Sequence, residues 1–348
     1  MTSIDNFCGS LTREQILQLS TETKLTYFHT NVVVQHPRMK GALDEVLRLS
    51  TPNSGTDVIL MIGPTGVGKS ASIKTARKLM IKRHLQELQS DPSFIPIVIV
   101  EAPATGEQHF SWRVLYERIG DEAHEPLLDK KALTVVDDER WRLQLGTKGS
   151  TVGGLRESID KALKNRRTRL LVIDEAVHVL DACSREKLKS HMNALKSITN
   201  LSGVTLCLTG SYDLFQLVSL SGQVARRTAI VHFPRYLVGN ATDERAFKRV
   251  VVTLQNHLPL EKIPNLERWS LGLQKACVGC VGTLKDTLLR ALTTTLENGG
   301  AWKDEYLRKA VLSEAAVAQI LSETLKGESE VEKAIYGSRS LDDLMEAS

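Results

Sequence analysis

The sequence predicts an α/β fold, a five-stranded parallel sheet flanked by helices, followed by a domain made of helices alone. Three observations carry this expectation. Short apolar runs alternate with helical patterns between residues 58 and 233, the pattern of βα units in a parallel sheet. One strand-to-helix junction reads Gly63-Pro64-Thr65-Gly66-Val67-Gly68-Lys69-Ser70, the G-x-x-x-x-G-K-S spacing of a phosphate-binding loop. From Gly239 onward the strand signals stop and only helical spacing remains.

Residues 10–50 read as two helices with a break near Pro37. Ser10 or Thr12 would cap the first, and Ile16, Leu17, Leu19 and Leu25 supply its apolar positions. The second spans Pro37 to Leu49, with the proline at a favourable first-turn position. A polar loop leads to the apolar run Val58-Ile-Leu-Met-Ile62, long enough for a buried strand. After the glycine loop, Ile73, Ala76, Leu79, Met80, Leu85 and Leu88 recur at helical spacing. Strand, loop and helix thus come in the order a triphosphate site needs: glycines turn backbone N–H groups onto phosphate oxygens, backed by the positive helix end. Lys69 would reach the β- and γ-phosphates, and the Ser70 hydroxyl would ligate Mg²⁺. A chance match is the alternative, and the flanking strand and helix argue against it.

Ile95 to Val100 reads as the second strand, and Phe110 to Ile119 as a helix. The charge- and glycine-rich residues 120–150 read as an exposed, mobile insertion. A helix over Leu155 to Lys164 leads to the third strand, Leu170-Leu-Val-Ile173, which delivers Asp174-Glu175. A hydrophobic strand ending on paired carboxylates is what a P-loop enzyme uses for Mg²⁺ and for the attacking water. Asp174 would act through the metal, and Glu175 would be the general base. A helix over Ser184 to Thr199 and a fourth strand, Val204 to Thr209, follow. At its end Ser211 would sense the γ-phosphate, with Thr209 as second choice; an N-cap role for Ser211 is equally open. Ala229 to Phe233 completes the sheet, and four helices lie between Asp243 and Thr324. The expected domains are residues 1–50 (N-terminal helices leading into the core), 51–236 (nucleotide-binding core), 237–326 (helical lid) and 327–348 (acidic flexible tail).

Six acidic against two basic residues give 327–348 a charge of −4, so the chain's net +4 leaves +8 on residues 1–326. A mildly basic body is compatible with nucleic acid without demanding it. The longest apolar runs are too short to span a membrane, and no basic-then-apolar leader is visible. Five scattered cysteines fit reduced thiols, so a cytoplasmic location is expected.

The P-loop, the Asp174-Glu175 pair, the Arg226-Arg227 pair before the last core strand and the helical lid together resemble an AAA+ ATPase. Within that group, Val34-Gln-His36-Pro37-Arg38, Leu171 to Ala176 and Leu208 to Asp213 resemble blocks of the TnsC and TniB proteins, over roughly residues 30 to 295. The resemblance implies an ATP- and Mg²⁺-dependent regulator of transposition. Such proteins oligomerise on duplex DNA as a ring or helical filament, mark the target site and recruit a transposase alongside a target-selection protein. It implies that Arg226 or Arg227 is an arginine finger reaching the neighbouring copy's γ-phosphate; two arginines solvated at a helix end are the alternative. It also places Lys285, in Gly282-Thr-Leu-Lys285, as the lid's phosphate sensor, with lysine where arginine is common. DNA-backbone contacts would come from Ser111 and Arg113 within Gln108 to Arg113, and from Lys148, Ser150 and Thr151; a plain solvated loop is equally open for the second group. Two rival readings remain: a replication initiator or helicase loader, and a nucleotide-binding scaffold with little turnover.

Overall fold

Contiguous aliphatic residues become buried strands along this chain, because a strand covered on both faces has no room for polar side chains. The computed structural model describes residues 11–52, 54–104, 110–126, 132–137, 140–145, 151–180, 185–220 and 225–335. The strands are β1 (Val58–Ile62), β2 (Ile97–Glu101), β3 (Ala132–Asp137), β4 (Arg140–Leu145), β5 (Leu170–Asp174), β6 (Thr205–Gly210) and β7 (Thr228–His232). The α-helices begin with α1 (Arg13–Leu17), α2 (Thr21–Thr26), α3 (Pro37–Leu49), α4 (Lys69–Arg83), α5 (Leu85–Ser90), α6 (Trp112–Glu122) and α7 (Val152–Asn165). They continue with α8 (Arg185–Ser202), α9 (Ala241–Asn256), α10 (Ser270–Ala276), α11 (Val281–Glu297), α12 (Asp304–Ala310) and α13 (Glu314–Ile335).

The described residues cluster into two compact units. One, drawn from 41–63, 69–233 and 327–348, holds a five-stranded parallel sheet in the order β2-β5-β6-β1-β7. Parallel pairing brings all five C-terminal strand ends to one edge: Ile62 pairs with Gly210 and His232, Glu101 with Asp174, and Ile173 with Leu208. Crevices at such an edge are where open α/β sheets bind ligands. Helices cover the sheet through stripes at helical spacing: Leu155, Ile159 and Leu163 on α7, and Leu188, Met192 and Leu195 on α8. Full burial of one such aliphatic side chain stabilises by about 1.5–3 kcal/mol.

The other unit, drawn from 1–40, 64–68 and 234–326, is helical. Phe28, Val32, Phe247, Val251, Leu284 and Leu288 belong to its apolar core. Asn240 caps α9, accepting from the N–H groups of Thr242 and Asp243 at 3.0 and 3.1 Å. Asp243 is buried and accepts from Arg38 through both carboxylate oxygens at 2.9 Å and from the Leu237 N–H at 2.9 Å.

Several elements differ from the sequence expectation. The first expected helix is divided in two: Thr12 caps α1 in a capping box with Gln15, Ser20 caps α2, and a π-helical turn, Tyr27–Asn31, buries Phe28. The insertion expected at 120–150 contains an antiparallel hairpin, β3 with β4. Its signal is the polar–apolar alternation of Arg140-Trp-Arg-Leu-Gln-Leu145, which the charge-rich composition obscured. The tail expected to be flexible from residue 327 is helical through Ile335. Thr324, Gly327 and Val331 are buried at i, i+3 and i+7, while Glu330 and Glu332 are exposed. Two of those three buried positions are threonine and glycine, so the stripe does not register as hydrophobic. Residues 336–348 lie outside the described residues, as does the candidate cap Ser10.

Candidate nucleotide site

Gly63 follows the fully buried β1, so the chain emerges at the sheet edge as the loop Gly63-Pro64-Thr65-Gly66-Val67-Gly68. Gly66 and Gly68 have φ of 76° and 109°, a region that only glycine enters without strain. The Val67 N–H closes a turn on the Pro64 carbonyl at 3.3 Å. Lys69 opens α4; it is buried and its ammonium donates to the Gly63 carbonyl at 3.0 Å. Ser70, one residue further into the helix, is exposed.

Asp174 ends β5 half-buried, and its Oδ1 accepts from the Glu175 N–H at 3.0 Å and from the Thr209 hydroxyl. Thr209 is fully buried on β6, so this hydroxyl holds the carboxylate from the adjacent strand. Glu175 is exposed and left-handed, with φ 49° and ψ 37°. A non-glycine residue held there costs of order 1–3 kcal/mol, and such strain gathers at functional sites. The bend delivers the chain from β5 into the 3₁₀ turn Ala176–Val179. Ser211, the first choice as sensor, donates instead to Asp213 Oδ2 at 2.8 Å, where the turn Tyr212–Leu220 begins. Ser70 and Asp174 are the groups that would hold Mg²⁺. One hydroxyl and one carboxylate suit this ion, which keeps waters and phosphate oxygens in its shell rather than a protein cage. Among the described residues no cluster of three or more His, Cys, Asp or Glu forms such a cage.

The arginine pair is separated by its surroundings. Arg227 pairs with Asp57 at 2.9 Å, and its carbonyl accepts from the N–H groups of Asp57 and Val58. Arg226 is exposed and has neither hydrogen bond nor ion pair among the described residues. Within the helical unit, Lys285 donates to the carbonyls of His29 and Val32, both at 2.7 Å, and so closes the end of the π-helical turn. That anchoring is a structural role which the resemblance did not supply. Two residues beside it were missed as site residues. The Thr283 N–H donates to the Gly66 carbonyl at 3.1 Å, and a Cβ on Gly282 would lie 2.5 Å from the same oxygen. Backbone contacts of this kind leave no side-chain signal in a sequence beyond the glycine itself.

Residues 52–218 match a family model described as an AAA domain. The fold is that of an AAA+ P-loop NTPase. Among solved structures, the ORC2 protein of Aeropyrum pernix, in ADPNP and ADP complexes, is similar with a TM-score of 0.54 at 16% identity, over 82% of this chain and 70% of that one. The ORC1 protein of the same organism, solved in complex with DNA, has a TM-score of 0.51 at 17% identity, over 85% and 67%. A comparison with curated proteins finds no match.

Two of the three hydroxyls named for DNA contact cap helices. Ser111 accepts from the Val114 N–H at 3.4 Å ahead of α6, and Thr151 from the Gly154 N–H at 3.1 Å ahead of α7. Arg113 pairs with Glu117 at 2.9 Å. Lys148 and Ser150 lie outside the described residues. Cys207, Cys277 and Cys280 are buried and form no disulfide among the described residues. Burial, then the Asp174 charge, pushes the Cys207 thiol up to about 12, and burial pushes Cys277 up to about 11, so neither is a nucleophile at neutral pH. Among the described residues no helix is long and apolar enough to cross a membrane.

Proposed function

We propose that this chain hydrolyses ATP while assembled with further copies of itself on duplex DNA, and that it regulates transposition by marking a target and recruiting a transposase. The observation that carries the catalytic part is Asp174, gripped by the Thr209 hydroxyl and the Glu175 N–H at the ends of adjacent strands. The P-loop lysine opens α4 in the same unit. Lys69 would neutralise the β- and γ-phosphates, and Glu175 would take the proton of the attacking water. Bound Mg²⁺ would neutralise charge on the same phosphate oxygens. Arg226, exposed and without an ion pair among the described residues, is suited to reach another copy's γ-phosphate, and hydrolysis would then require neighbours. ATP would favour the assembled state, and its hydrolysis would release it.

The transposition part draws on the likeness of the His36-Pro37, Asp174-Glu175 and Thr209-Gly210-Ser211 blocks to those of TnsC and TniB proteins. A second reading, replication initiation, is favoured by the fold likeness to two ORC proteins, one of them solved with DNA. Hydrolysis measured with and without duplex DNA tests the common ground: stimulation is expected, turnover that ignores DNA removes both readings, and little turnover under either condition favours a nucleotide-binding scaffold. Glu175→Gln is expected to trap an ATP-bound assembly on DNA, visible by sedimentation; assembly no better than the wild type defeats the switch. Retention of a transposase on the DNA-bound chain separates the first reading from the second.

A further inference from the structure

The C-terminal helix enters the core where the sequence pattern gives it little reason to. Between Lys326 and Lys333 its buried residues are a glycine and a valine: Gly327 and Val331, the latter fully buried in the cluster that contains Tyr212, Leu214 and Leu217. Gly327 lies directly on the Tyr212 ring, so that a Cβ there would be 2.2 Å from two ring carbons. Glycine is a poor residue for a helix interior compared with alanine, so this contact replaces helix propensity with a flat seat for one aromatic ring.

That ring is connected to the strand ends on two sides. Along the chain, Tyr212 stands three residues beyond Thr209, whose hydroxyl holds Asp174. Across the sheet, the Tyr212 hydroxyl and His232 Nε2 share a hydrogen bond of 3.0 Å. His232 ends β7 and pairs in register with Ile62, the last residue before the P-loop, and the Phe233 N–H donates to the Ile62 carbonyl at 2.8 Å. Helix end, aromatic ring, β6 end and β7 end therefore form one continuous packed series. A shift of the ring would be passed to the strands that carry Thr209 and lead into Gly63.

We propose that residues Gly327–Ile335 form a positioning element of the nucleotide site, acting through Tyr212 on the ends of β6 and β7, so that turnover rather than nucleotide binding depends on the C-terminal helix. The proposal rests on the ATPase reading above. The lever is geometry: a misplacement of about 1 Å at a reacting centre can cost of order 10²-fold in rate.

The test uses the full chain with Tyr212→Phe, which keeps the ring and loses the bond to His232, and with Gly327→Leu, which displaces the ring. Two shortened chains, ending at Ile335 and at Lys326, are compared with them. Each is measured for kcat and KM of DNA-stimulated ATP hydrolysis, for affinity toward a fluorescent ADP analogue, and for its thermal midpoint. The chain ending at Ile335 is expected to match the wild type. Gly327→Leu and the chain ending at Lys326 are expected to lose about tenfold or more in kcat, with ADP affinity within about twofold. Tyr212→Phe should lose kcat by a smaller factor with an unchanged midpoint. If the chain ending at Lys326 fails to fold, Tyr212→Phe decides: wild-type kcat overturns the proposal. Loss of ADP affinity in parallel with kcat also overturns it, since that marks general unfolding. A wild-type chain that does not hydrolyse ATP sinks the ATPase reading and this proposal with it. A wild type that turns over while both substitutions match it defeats this proposal alone.

Discussion

Replacing Thr209 by valine removes one oxygen from a fully buried side chain and leaves its shape nearly intact. The lost group is the hydroxyl that donates to Asp174 Oδ1, a carboxylate otherwise held by the Glu175 N–H at 3.0 Å. A hydrogen bond to a charged group contributes about 1.5–3 kcal/mol. If that energy holds the carboxylate in its working orientation during hydrolysis, kcat falls by roughly ten- to 150-fold at 1.4 kcal/mol per decade. The half-saturating Mg²⁺ concentration should rise with it, because Asp174 is the carboxylate that would hold the ion. KM for ATP should stay within about threefold, since the P-loop and Lys69 rather than Thr209 would hold the phosphates. Steady-state hydrolysis over a Mg²⁺ series measures all three quantities, and the unfolding midpoint reports how much of the loss is general destabilisation. Ser211→Ala is the control: its hydroxyl goes to Asp213, so its kcat should fall by less than about threefold. Valine at 209 within twofold of the wild type, or a larger loss at 211 than at 209, would refute this assignment of roles.

Four further outcomes are expected. Arg226→Ala should lower turnover by about 10³-fold or more, the range of an arginine supplied across subunits. Arg227→Ala, which loses an exposed pair with Asp57, should cost about tenfold at most. Mixing Arg226→Ala with Lys69→Ala copies should recover activity in the hydrolysis assay, and no recovery would mean that Arg226 does not act in trans. Stability should also fall with acid through His36, whose Nδ1 accepts from the Met39 N–H at 3.3 Å and lies 3.0 Å from the Tyr236 hydroxyl. Burial, then the neighbouring Arg38, lowers this imidazole to about 4. The unfolded chain therefore binds the proton first. Stability from the neutral imidazole is complete above about pH 6.5 and is lost as pH falls toward 4, by roughly 3 kcal/mol in all. Urea unfolding at pH 7 and 4.5 should show a larger drop for the wild type than for His36→Gln; equal drops would refute it.

The elements legible in the residue order are those whose signal is local. Val58 to Ile62 and Leu170 to Ile173 are buried strands because each is an unbroken aliphatic run, and each lies within a residue of where periodicity places it. The Gly63 to Ser70 spacing and the Asp174-Glu175 pair were likewise visible, since both consist of consecutive residues. Elements whose buried face is small or polar were not: between Lys326 and Lys333, α13 shows the core a glycine and a valine, and its charge count reads as a tail. The β3–β4 pair was hidden by its arginines and the acidic residues of the sequence around them in the same way.

Residue order by itself decided that a phosphate-binding loop follows a buried strand, that a carboxylate pair ends another, and that among the described residues after 239 helices occur without strands. The folded chain decided what each side chain is bonded to. Thr209 rather than Ser211 holds Asp174, Arg226 rather than Arg227 has no ion pair among the described residues, and Lys285 is taken up by two backbone carbonyls. The physical reason is range. Propensity and periodicity act between neighbours along the chain, whereas a hydrogen bond or ion pair forms between groups that only strand order and helix packing bring within 3 Å or so of each other.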